Sequence, residues 1–158
     1  MRETSGVTSM RNPDDPADFT EVLIAWSWWD LPRDGVVRID GRPHRFRCDF
    51  DEALDDYAAE YRVWPITEAE ASADLALWAR WVDWRRRFDR GENPQPLEKD
   101  ASWQSLISDA RRHAEPAAAA VRVAIPEWRL DTDRSFAARA PRHLVRFVYA
   151  DDGGTDAP

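Results

Sequence analysis

"WSWWDLPRDGVVRIDGRPHRFRCDF", residues 26–50, decides the fold. It holds three tryptophans, five arginines, His44 and Cys48, the single cysteine of the chain. "LPRDG" reads as a turn, with Pro32 fixing one φ and Gly35 free to take a positive one. "VVRID" and "HRFRCDF" then bracket "GRP" as a β-hairpin, in which Pro43 makes the loop longer than the tightest two-residue type. Strand alternation sends His44, Phe46, Cys48 and Phe50 to one face and Arg45, Arg47 and Asp49 to the other. One face is core; the other is charged.

Working outward, "FTEVLIAWSWW" (19–29) is apolar and β-branched enough for a central strand. Downstream, Asp51 suits the N-cap of a short helix, "EALDDYAAEY", whose Leu54, Tyr57, Ala58 and Tyr61 form one apolar stripe. "RVWPI" is extended, because Pro65 disfavours helix at Trp64. Thr67 and Glu70 form an S/T-x-x-E capping box, and Gly91 stands where a helix-ending glycine belongs. Between them Leu77, Trp81, Trp84 and Phe88 line one ridge, and Leu75, Trp78 and Val82 the next. So wide an apolar surface reads as core rather than as a ligand box. Asp83 and Arg87 are spaced for an i, i+4 ion pair. Another helix is expected over 98–113, with Trp103, Leu106, Ile107 and Ala110 at helical spacing, followed by two alternating strands, "AVRVAIPEW" and "HLVRFVYA".

The order β-β-β-α-β-α-α-β-β predicts an α+β domain over 17–150: a mostly antiparallel sheet of five to six strands with two longer helices and one short helix packed on it. The helix indoles would then cover one side of the sheet while the hairpin arginines stud the other. Residues 1–16 and the acidic 151–158 have the composition of a disordered leader and tail.

A chain of 158 residues, 43% hydrophobic, suits one domain with a sizeable core. Its net charge of −8 argues against general affinity for nucleic acid. One cysteine excludes an internal disulfide, so a reducing cytoplasm is the expected compartment. No apolar run reaches the roughly 18 residues of a spanning helix, and no membrane partner is expected. Nine tryptophans imply a large core, an adhesive surface, or both.

The phosphate-cradling, zincin and hydrolase-elbow motifs are absent. His44 and Cys48, four apart on a strand, would sit about 13 Å from each other, too far to chelate one ion. No metal and no cofactor are expected. Cys48, between two phenylalanines, reads as an inert core thiol, which leaves His44, next to the turn, as the candidate acid or base.

Charge is segregated along the chain. Residues 33–47 carry five arginines against two aspartates; Arg129, Arg134, Arg139, Arg142 and Arg146 repeat the pattern, while 51–60 holds five acids and no base. These groups either neutralise one another or form an arginine face edged by tryptophan. Such a face suits a phosphate, a carboxylate or an acidic protein surface. The candidate ligand-binding residues are Trp28, Trp29, Asp30, Arg33, Arg38, Arg45 and Arg47.

"WDLPRDGV", "GRPHRF", "VWPIT" and the tryptophan-rich helix ending in "FDRG" together resemble an uncharacterised bacterial protein family with a W-D-x-P-x-x-G-V … G-x-P-H-x-F core. The likeness covers about residues 26–91 and implies a shared fold, with no activity and no site. The expected function is a small acidic protein-interaction module of the adaptor, antitoxin or immunity kind, whose partner is another protein. The alternative is an enzyme or small-ligand binder whose pocket beside the 28–47 hairpin takes an anionic group on Arg33, Arg38 or Arg45, with His44 as acid or base. Nucleic-acid binding through the two arginine-rich strands is a third reading, and it requires a steep salt dependence.

Overall fold

A computed structural model of the chain describes residues 18–26, 30–111, 116–132 and 140–150. The expected leader and tail lie outside this set, and so do Trp28 and Trp29. The class is α+β, but the sheet is closed rather than open. Strands β1 (Thr20–Trp26), β2 (Asp34–Ile39) and β3 (Arg42–Arg47) form a meander that continues, in pairing order, through β6 (Tyr61–Pro65), β7 (Arg122–Arg129) and β8 (Leu144–Tyr149). Strand β8 returns to β1, and every neighbouring pair is antiparallel. The short strands β4 (Phe50–Asp51) and β5 (Asp56–Tyr57) form a separate hairpin between β3 and β6. Helices α1 (Glu68–Asp89) and α2 (Ala101–Arg111) connect β6 to β7.

The β2–β3 turn is tighter than expected. Asp40 and Gly41 both have positive φ, 50° and 75°, and Ile39 pairs directly with Arg42. This is the two-residue primed turn whose twist matches the flanking strands. Pro43 is tolerated because the pair next to the turn carries the ladder bonds, so Arg38 and Pro43 fall in the non-bonded pair. Gly35 lies in β2, where its role is spatial. A Cβ there would stand 2.0 Å from the Ile24 carbonyl oxygen and 2.6 Å from the Phe46 ring. The ring thus packs directly on the Gly35 backbone.

The barrel interior is solid. Val22, Ala25, Val37, Phe46, Cys48, Tyr61, Val63, Ala124 and Val145 form one buried cluster, with Trp128 and Phe147 packed against it. Phe46 and Tyr61 meet Trp128 edge-on at 5.8 and 6.0 Å between ring centres. Six strands enclose little more than these side chains, so a ligand finds room at an end or on the outside, not in the middle.

The helix indoles and the hairpin arginines share one side of the sheet, contrary to expectation. Ile24, Val36, Arg45 and Trp64 form a cross-strand row on the outside of the barrel, and α1 packs against β1 and β3 there. Trp26 meets Trp78 at 4.8 Å and Trp81 at 5.8 Å, both edge-on. Trp84 stacks on Phe88 and donates to the Gln95 carbonyl. The capping box is present in full, with the Thr67 hydroxyl accepting from the Glu70 N–H and the Glu70 carboxylate accepting from the Thr67 N–H. Gly91, at φ 76°, follows the C-cap. Asp83 pairs with Arg80, not with Arg87, which reaches Glu92.

The short helix expected after Asp51 is absent. The Asp51 carboxylate accepts from the Ala53 N–H, making a turn instead of a cap, and Asp55 completes it with φ 51°. Phe50 and Tyr57 then meet across the β4–β5 hairpin, edge-on at 5.3 Å. The apparent stripe is split: Tyr61 is buried in the barrel while Leu54 is exposed.

Candidate functional site at the open end of the barrel

The two ends of the barrel differ. At one, Pro32 is buried and its carbonyl accepts from the Tyr61 hydroxyl at 2.9 Å. The Cys48 thiol donates to the Ala58 carbonyl at 3.0 Å. Arg33 covers this end, with its guanidinium 4.3 Å from the centre of the Tyr57 ring and 2.7 Å from Asp30. Burial pushes the Tyr61 phenol up to about 12 and raises the Cys48 thiol, the latter against the pull of Arg33. Neither group ionises readily near neutral pH, so this end is chemically quiet.

The other end is open and holds a cavity of about 580 Å³. The β2–β3 turn and the start of β3 bring Asp40, Arg42 and His44 to it, while β7 and β8 bring Arg122 and Tyr149. His44 faces the interior because it pairs with Val37, an inward position. Its Nδ1 lies 2.9 Å from the Arg42 carbonyl oxygen. A carbonyl only accepts, so Nδ1 carries the proton and Nε2 of the neutral ring is left as an acceptor. The Arg122 guanidinium stacks over the Tyr149 ring at 3.6 Å. Among the described residues no carboxylate lies within ion-pair distance of Arg42.

The residues expected to bind ligand are not brought together. Asp30 and Arg33 seal the opposite end. Arg38 makes a two-pronged pair with Glu68 in the first turn of α1, at 2.8 and 2.9 Å. Arg45 pairs with the buried Asp74 of α1. Arg47 lies 3.5 Å from Asp34. Two of these arginines therefore clamp the helix to the barrel. Of the named candidates among the described residues, only His44 lines the open end. Arg42 belonged to the recognised arginine cluster but carried no individual signal, and Arg122 and Tyr149 arrive only through closure of the barrel.

Among the described residues no group of three histidine, cysteine, aspartate or glutamate side chains converges as a metal site, and no helix is long and apolar enough to cross a membrane. Compared with known proteins, the chain matches no family model, no curated protein and no solved structure.

Proposed function

We propose that the protein binds a small anionic ligand at the open end of the barrel. Arg42 and Arg122 supply the positive charge, and His44 Nε2 takes a proton from the ligand or shares one with it. The observation that carries this reading is the meeting of two arginines and an available imidazole nitrogen over an otherwise filled barrel. Barrel mouths are preferred ligand sites, and paired guanidinium groups suit phosphate or carboxylate.

Inorganic pyrophosphate, followed by the NMR signals of the His44 ring, tests the proposal. A saturable shift that weakens with salt and disappears in Arg42→Ala/Arg122→Ala supports it. A shift that persists in that variant, or no saturable shift at all, removes it.

The protein-interaction reading has its own support on the outside of β7 and β8. Ile125 and Val148 pair across the strands, with 55% and 47% of their surfaces exposed, and Val123 lies nearby. Contiguous exposed apolar groups are a feature of docking surfaces. Ile125→Glu/Val148→Glu, used as bait beside the natural chain, should lose a stoichiometric partner that the natural chain retains. Identical captures would argue against this face.

A further inference from the structure

Helices α1 and α2 and the outside of the barrel enclose a second cavity, of about 440 Å³. It is remote from the open end and differs from it in chemistry. Trp26 from β1, Leu77 from α1 and Trp103 from α2 wall it; Asp34, Arg45 and Asp74 bring charge to it. Trp26 is held in place by two indoles behind it, the edge-on Trp78 and Trp81, which stack on each other at 5.0 Å. The wall is therefore a fixed aromatic surface.

Among the described residues the lining holds two carboxylates and one guanidinium. Arg45 is committed to Asp74 in a buried pair whose side chains are 18% and 7% exposed. The second carboxylate, Asp34, has Arg47 as its ion-pair partner, but at 3.5 Å and from outside the lining. Burial raises the Asp34 carboxyl above its usual range; Arg47 and Arg45 oppose the rise, and Asp74 adds to it. Asp34 thus keeps only a long contact to its arginine, beside aromatic rings whose faces carry negative partial charge.

We infer that this cavity binds a small organic monocation, an alkyl- or arylammonium ion, with Asp34 as counter-ion and the indoles of Trp26 and Trp103 as walls. An anion would have to enter beside two carboxylates with the one guanidinium already paired. A neutral apolar ligand would strip Asp34 of remaining water and return nothing. A hard divalent ion needs six or more oxygen ligands, and this lining supplies two carboxylates, one of them held by Arg45. An ammonium ion can pair closely with Asp34 and lie against the indoles at the same time.

Titration of the whole chain with benzylammonium, butylammonium and tetramethylammonium chlorides, beside benzyl alcohol and benzoate, tests this. Tryptophan fluorescence and indole N–H NMR signals are the readouts. At least one ammonium ion should saturate and perturb the Trp26 and Trp103 signals. Benzylammonium should bind about tenfold tighter than benzyl alcohol, the scale of one ion pair with a cation–π contact. Benzoate should not bind. Asp34→Asn should reduce benzylammonium to the level of the alcohol, and Trp103→Leu should weaken both. Failure of all three cations to saturate, equal affinity for benzylammonium and benzyl alcohol, or undiminished binding in Asp34→Asn would overturn the inference.

Discussion

Asp34 begins β2 with its carboxyl group half-buried and a single arginine within ion-pair distance among the described residues. Its folded-state proton affinity is raised, chiefly by loss of water. Between its unfolded and folded values the native chain therefore binds more protons than the unfolded one, and stability falls as pH rises through that window. The charge is a net cost near neutrality. Asp34→Asn is expected to stabilise the fold near neutral pH, with the advantage shrinking to nothing below the usual carboxylate range, where the natural side chain is protonated in both states. Denaturant titrations across that pH span check it; a pH-independent difference, or destabilisation near neutrality, would contradict it. Gly35, one position on, shows how far such detail can be read from a turn-like sequence. "PRDG" suggests a glycine needed for its φ, yet the residue is needed because the Phe46 ring and the Ile24 carbonyl occupy the space of a side chain. Nothing local in the sequence announces that contact.

Among the elements, α1 is held to the barrel by ion pairs as well as by apolar packing. Arg38 binds Glu68 near one end of the helix, and Arg45 binds Asp74 further along. The Arg45–Asp74 pair is largely buried, so removing one partner takes away a major part of the other's charge compensation. Arg45→Met or Asp74→Leu alone should cost about 3–5 kcal/mol, whereas the double variant should be near neutral or more stable than the natural chain. A double-mutant cycle by chemical denaturation measures this, and additive losses would show that the pair is not coupled. Elements governed by local chemistry were legible in the sequence: the capping box of α1, its glycine stop and the strand alternation of β3. The β4–β5 hairpin was not. Its apolar residues fall at helical spacing, but the Asp51 carboxylate is used within its own turn and Tyr61 is drawn into the barrel by pairing with Ala124. The arginines misled for a related reason. Alternation correctly put them on the face opposite Phe46, while the element covering that face was beyond what spacing reveals.

For the whole molecule, closure is the decisive event and the least visible in sequence. It joins β1 to β8 through two residue pairs, Thr20–Val145 and Glu21–Leu144. A two-pronged Arg142–Glu21 contact at the surface and a bond from the Val22 N–H to the His143 carbonyl support the seam. The β2–β3 ladder, by contrast, runs over six pairs, Asp34–Arg47 to Ile39–Arg42. Amides of the β1–β8 seam are therefore expected to exchange with solvent well ahead of those at Val36, Val37 and Phe46, through local opening rather than global unfolding. Native-state hydrogen exchange measures the order; uniform protection around the barrel would show that it opens only as a whole. The same closure explains why the candidate site was only partly legible. His44 announced itself beside a turn, but Arg122 and Tyr149 lie far along the chain and reach it only once the last strands have come round.

The path of the first and last strands has a practical corollary. Asp18 and Phe19 border a recess that also includes Ile39, Asp40 and Tyr149, and these last three line the mouth itself. The start of β1 and the end of β8 therefore both lie at the rim of the proposed anion site. A fluorophore grafted at either position would report occupancy directly, and a bulky fusion at either would crowd the entrance.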